Sequence, residues 1–166
     1  MKNQNNDFAR GRNYIFNLIK FRQYSQKEIR DKLKAKGFEP EIIKETLDYF
    51  KKVKLVNDRE FAEFWINTRM SKPLGFKAIQ KELEQKGIPG AIIEELFSQK
   101  KPAFNEAETV QKIAEQRFSK LTARWPGGQS QKSLEKIKAQ IYGYLMRRGF
   151  ESDIIIAAIN KVTLSS

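Results

Sequence analysis

The sequence predicts an all-α protein made of three tandem three-helix repeats that form an elongated, curved array. Three observations carry that prediction. Gly37, Gly87 and Gly149 stand in matching surroundings. Apolar residues flank each of them at helical spacing. No convincing pair of alternating segments joined by a hairpin turn occurs along the 166 residues.

The match among the three segments is extensive. A basic residue precedes each glycine (Lys36, Lys86, Arg148) and a large apolar one follows (Phe38, Ile88, Phe150). Leu33, Leu83 and Leu145 stand four residues before, and Ile29, Ile79 and Ile141 eight before. Ile42-Ile43, Ile92-Ile93 and Ile154-Ile155 come five and six after. Apolar positions four apart share one helical face. A glycine just past the last of them is the residue that ends a helix in a left-handed turn at no steric cost. Each segment therefore reads as helix, glycine stop, helix. Pro40 and Pro89 fall near the start of the second helix, where a missing N–H does no harm.

A further helix precedes each pair, so the repeats run 13–54, 55–100 and 101–162. Tyr14, Phe16, Leu18, Ile19 and Phe21 supply the first leading helix. Phe61, Phe64, Trp65 and Thr68 supply the second, and Val110, Ile113, Ala114, Phe118 and Leu121 the third. Ser25-Gln26-Lys27-Glu28 is a capping box. Asn57 or Asp58 caps the helix that follows it, and Ser133 is a candidate cap for the helix carrying Leu134 to Leu145. Lys100 to Ala103 separates two repeats, and Trp125 to Gln131 is a Gly-rich loop inside the third. Residues 1–12 read as a disordered tail, and so do residues 163–166.

Composition narrows the function. There is no Cys and no His, which removes thiolate chemistry, the commonest general base and the commonest metal ligand. Asp58 reads as a cap and not as a catalytic group. No paired-carboxylate site and no Walker-type phosphate loop is present, so the expectation is a protein that is not an enzyme and needs no cofactor. The longest apolar run, Ile154 to Ile159, is far shorter than a membrane span, and the N-terminus lacks a signal-peptide core. The expectation is a soluble, cytoplasmic monomer. A net charge of +12 points to a polyanionic or acidic partner, with plain solubility as the alternative.

The cations fall into helical stripes opposite the apolar faces: Lys27, Arg30 and Lys34; Lys77 and Lys81; Lys132, Lys136 and Arg147. Such stripes suit phosphate contacts, although an ordinary solvated face looks the same. Arg22, Arg69 and Arg117 recur near the ends of the leading helices, and Arg148 adjoins the third glycine. They serve either the helix dipole or an acidic partner. Trp125 and Tyr24 lie in turns and either stack on a base or pack under the loop.

The run Leu55 to Ala62, followed by Arg69, Gly75, Glu82-Leu83 and Lys86-Gly87-Ile88, resembles the central motif of the RecX family. Ser25, Leu33, Gly37 and Ile42-Ile43 fit the same family in the first repeat. Leu145, Arg147, Arg148, Gly149, Phe150 and Ile154-Ile155 fit it in the third. The resemblance spans roughly residues 14–160. It implies a regulator that binds the RecA filament on DNA and inhibits its ATPase and strand exchange, in recombination, DNA repair and the SOS response. Single- or double-stranded DNA is a direct partner on the same ground. A sequence-independent nucleic-acid-binding module without RecA contact is the alternative, and an adaptor for some other protein is a third.

Overall fold

The computed structural model describes residues 4–100, 104–124 and 131–164. Among them are nine helices and no strand. They are α1 (Gln4–Ile19), α2 (Gln26–Ala35), α3 (Pro40–Lys52), α4 (Asp58–Met70), α5 (Phe76–Gln85), α6 (Gly90–Lys100), α7 (Glu106–Thr122), α8 (Gln131–Arg147) and α9 (Ser152–Leu164). They group into three repeats of three, as the glycine pattern predicts.

The middle helices α2, α5 and α8 end identically. Gly37, Gly87 and Gly149 take φ of +78°, +76° and +79°. The glycine N–H donates to the carbonyl three residues back, at 2.9 Å from Gly37 to Lys34, 2.9 Å from Gly87 to Glu84 and 3.0 Å from Gly149 to Met146. The next N–H reaches five residues back, from Phe38 to Leu33, Ile88 to Leu83 and Phe150 to Leu145. These paired bonds satisfy carbonyls that a helix end otherwise leaves bare. α3 ends by the same pair of bonds, from Lys54 to Lys51 and Leu55 to Phe50, but with Lys54 at φ +56°.

Two compact units form, Met1–Ile66 with Glu82–Leu96 and Asn67–Lys81 with Phe97–Ser166. In the first, Ile15, Ile29, Leu33, Leu47 and Phe50 are the centre of the core, and Phe16, Tyr49 and Phe50 meet edge to face around it. In the second, Val110, Ala114, Ile141, Leu145, Phe150 and Ile155 are buried together. Burying each Val, Leu, Ile or Phe side chain of these cores contributes roughly 1.5–3 kcal/mol.

Three expectations need correction. Residues 4–12, expected as a disordered tail, carry the first turns of α1. Gly11 lies flat against α3, where a Cβ would come within 3.0 Å of Thr46 Oγ1, and Phe8 meets Tyr49 edge to face. A polar stretch with Phe8, Gly11 and Ile15 at helical spacing was enough to dock. At the other end α9 runs to Leu164, two residues into the expected tail. α8 starts at Gln131, so Ser133 lies inside its first turn and does not cap it. Of the two candidate caps for α4, Asn57 is the one that caps it, its Oδ1 accepting from Arg59 N at 2.9 Å. The loop at Trp125 and the junction at Lys101 to Ala103 lie outside the described residues.

Candidate polyanion-binding site

α7 buries Val110, Ala114 and Phe118. Arg117 and Lys120 project from another side of it, and Arg124 follows in the turn after it; their spacing, i, i+3, i+7, is that of one helical face. α8 brings Tyr144 against them. The Arg117 guanidinium lies 3.2 Å from the centre of the Tyr144 ring, and the Arg148 guanidinium 4.7 Å from it. Arg148 Nη1 also donates to the Pro73 carbonyl at 3.0 Å. A cleft of about 420 Å³ opens here, with Pro73, Ile113 and Leu121 as apolar lining and no carboxylate among the described residues that line it.

Stacking does two things for a guanidinium. It fixes the plane with little loss of freedom on binding, and it leaves the N–H edge available to an anion. Arg117, Lys120 and Arg124 thus present one held and two flexible cations around one cleft. The arrangement suits phosphate oxygens.

The other predicted residues are placed as follows. Arg30 and Lys34 line a second cleft, between α2 and α3. Lys27 pairs with Asp31 at 3.2 Å on its own helix. Lys77 pairs with Glu151 at 2.7 Å, and the hydrogen bond and charge of that carboxylate hold its ammonium above the usual lysine range. Lys81, Lys132, Lys136 and Arg147 are exposed and line none of the clefts described here. Arg69 is half-buried in the last turn of α4. Of the three arginines expected at helix ends, only Arg69 is in a last turn. Arg117 sits more than a turn before the end of α7, because the helix continues to Thr122. Arg22 lies beyond α1, 3.7 Å from the Tyr24 ring centre and paired with Glu28 at 3.2 Å. Tyr24 is therefore engaged by this chain's own arginine. Sequence reasoning missed Tyr144, Lys120 and Arg124. The spacing of Arg117, Lys120 and Arg124 was a usable signal, while Tyr144 had none.

No group of three or more Asp or Glu suited to a metal ion occurs among the described residues, and none of their helices is long and apolar enough to cross a membrane.

Comparison with known proteins agrees with the repeat pattern. Models of the first, second and third three-helix domains of RecX match residues 12–50, 57–96 and 105–159. A regulatory protein RecX from Haemophilus influenzae strain PittEE is 34% identical over 143 residues, which is 85% of this chain and 87% of that one. One from Caldanaerobacter subterraneus is 30% identical over 149 residues, covering 90% and 68%. The crystal structure of RecX from Lactobacillus salivarius aligns at a TM-score of 0.75 and 28% identity, over 96% of this chain and 98% of that one. A second crystal structure, of a regulatory protein RecX, aligns at a TM-score of 0.78 and 20% identity, a likeness of fold. With three domain models in order along the chain and relatives of this similarity over most of its length, the protein belongs to the RecX family.

Proposed function

We propose that this protein regulates RecA without catalysis of its own: it binds the RecA–DNA filament in the cytoplasm as a monomer and inhibits ATP hydrolysis and strand exchange. One observation supports the reading beyond family membership. The Tyr144 ring holds the Arg117 guanidinium in a cleft that Lys120 and Arg124 also line and that has no carboxylate among its described lining residues. Contacts of this kind to phosphates position a protein on DNA without reading sequence, and they weaken as salt rises.

The test is a titration of RecA on single-stranded DNA, reading ATP hydrolysis. Substoichiometric protein slows turnover. Lys120→Glu with Arg124→Glu leaves the stack and the fold intact and inhibits roughly tenfold more weakly near ~100 mM salt. Reversal at Lys132, Lys136 and Arg147 is the parallel arm and reports whether the exposed α8 face takes part. Turnover unchanged at excess protein and low salt overturns the proposal. The nucleic-acid module without RecA contact is separated by capture of RecA in the absence of DNA, which the proposal expects and the module does not.

A further inference from the structure

A second cleft, of about 510 Å³, runs along the seam of α2 and α3. Its floor is apolar, formed by Phe38, Ile43 and Leu47. Its banks are cationic on both sides, with Arg30 and Lys34 on α2 and Lys44 and Lys51 on α3. Asp48 is the carboxylate on the rim, 3.9 Å from Lys51, and the buried Asp58 sits near the Gln26 end, where it accepts from Gln26 N at 2.8 Å. The four exposed cations outnumber those two carboxylates.

Pro40 to Lys51 is twelve residues of helix, about 18 Å. That length takes some three turns of a partner helix. We infer that the α2–α3 groove of this protein docks a short acidic, amphipathic peptide segment of a partner protein, its apolar side chains on Phe38, Ile43 and Leu47 and its carboxylates on Arg30, Lys34, Lys44 and Lys51. Charge complementarity selects the acid; the floor selects the apolar stripe. A nucleic acid suits this groove less well. The Arg10 guanidinium lies 5.9 Å from the centre of the Phe38 ring, the one aromatic ring among the described lining residues, and the rest of the floor, Ile43 and Leu47, is aliphatic. Base stacking uses open ring faces. The groove is separate from the Arg117 cleft, so this inference goes beyond the proposed filament binding and stands or falls without RecA.

The probe is a synthetic helical peptide of about twelve residues, long enough to match the seam, with leucines along one face and glutamates elsewhere. Binding is read from backbone amide shifts of the full chain. Shifts confined to residues around 30–51 are expected, with binding about tenfold weaker for a scrambled isomer of the same composition. Lys34→Glu with Lys44→Glu, both exposed positions, weakens the peptide by a similar factor. Lys34→Gln with Lys44→Gln repeats the comparison if the reversal disturbs folding. Equal binding of the scrambled peptide, shifts elsewhere, or indifference to both pairs of substitutions overturns the inference. A thymidine oligonucleotide that displaces the peptide from these same amides at lower concentration also overturns it and makes the groove a nucleic-acid site.

Discussion

The joint between the first and second repeats and the joint between the second and third follow one plan in different chemistry. Each lies within one compact unit. In both, the residue before a middle helix bonds the carbonyl that precedes the next repeat's left-handed glycine. Ser25 does so with its hydroxyl, Oγ donating to the Lys86 carbonyl at 2.7 Å. Gly75 does so with its backbone, N donating to the Arg148 carbonyl at 2.9 Å. In both, the first residue of the following repeat's leading helix, α4 or α7, caps that middle helix: Asp58 accepts from Gln26 N at 2.8 Å, and Glu106 from Phe76 N at 2.9 Å. The surroundings then diverge. At the first joint Glu28 accepts from Lys86 at 2.8 Å and from Arg22, while the Lys86 ammonium lies 4.2 Å from the centre of the Trp65 ring. At the second, backbone lies on backbone, and a Cβ on Gly75 or Gly149 would collide with the facing chain. Side chains can adjust to a substitution; a packed backbone has nowhere to go.

The three glycines turn that difference into the largest expected effects. All three share the left-handed conformation, so alanine costs each about 1–2 kcal/mol in strain. Around Gly37 nothing lies within 4 Å of a new Cβ, and Gly37→Ala loses about 1 kcal/mol. At Gly87 the Cβ meets Lys27 at 2.7 Å, both at Cδ, which can swing away, and at Cβ, which moves only with the α2 backbone, and the loss is about 2 kcal/mol or more. At Gly149 the obstacle is the backbone of Ala78, and Gly149→Ala loses about 3 kcal/mol or more. Urea midpoints of the three variants give the ranking. Equal losses would mean that the joints contribute nothing and that backbone conformation accounts for everything.

The charged joint is tested next, through Glu28. Burial pushes the Glu28 pKa upward, but the hydrogen bonds from Lys86, Arg22 and Ser25 N outweigh it and leave it below the ordinary carboxylate range. Its contribution is present above the unfolded value of about 4.3 and is lost as pH falls through the lower folded value. At Asp58 burial dominates, and the bond from Gln26 N and the charges of Arg30 and Lys51 only partly offset it, so its pKa is raised. That contribution has the opposite sign: it is present below about 3.9 and is lost as pH rises through the folded value. Glu28→Gln therefore loses about 1–2 kcal/mol at neutral pH, an amount discounted for the pair's partial exposure, and flattens the acid limb of the stability curve. Asp58→Asn steepens that limb. Unfolding midpoints between about pH 3 and 7 check both; an unchanged acid limb in Glu28→Gln would sink this account of the joint.

What the sequence could show follows from these contrasts. The repeats were legible because glycine, leucine and isoleucine positions report purely local events, a helix face and its left-handed end. Ser25 was legible as a capping box for the same reason, and the box forms with Glu28. Its second bond, to Lys86, crosses 61 residues and was not. Asp58 reads correctly as a cap, yet the helix it caps lies in the preceding repeat. The candidate site divides the same way. Arg117 and Arg148 could be named from spacing, but Tyr144, which brings them together, belongs to a helix that only the third repeat's packing places beside α7. Lys77 looked equally promising until packing supplied Glu151.

The smallest expected effect concerns the helix that lacks a glycine. α3 ends with the same two hydrogen bonds as the middle helices, and Lys54 adopts φ +56° to make them. Lys54 is exposed, and no ion pair involving it is seen among the described residues. Glycine at this position keeps both bonds and removes the strain of a Cβ in the left-handed region, while adding freedom to the unfolded chain. The first term exceeds the second where φ is positive, so Lys54→Gly gains about 0.5–1 kcal/mol. A higher urea midpoint with an unchanged slope is the expected reading. If Lys54→Gly destabilises instead, then the left-handed turn at the end of α3 is held by its lysine side chain and differs in kind from the turns at Gly37, Gly87 and Gly149.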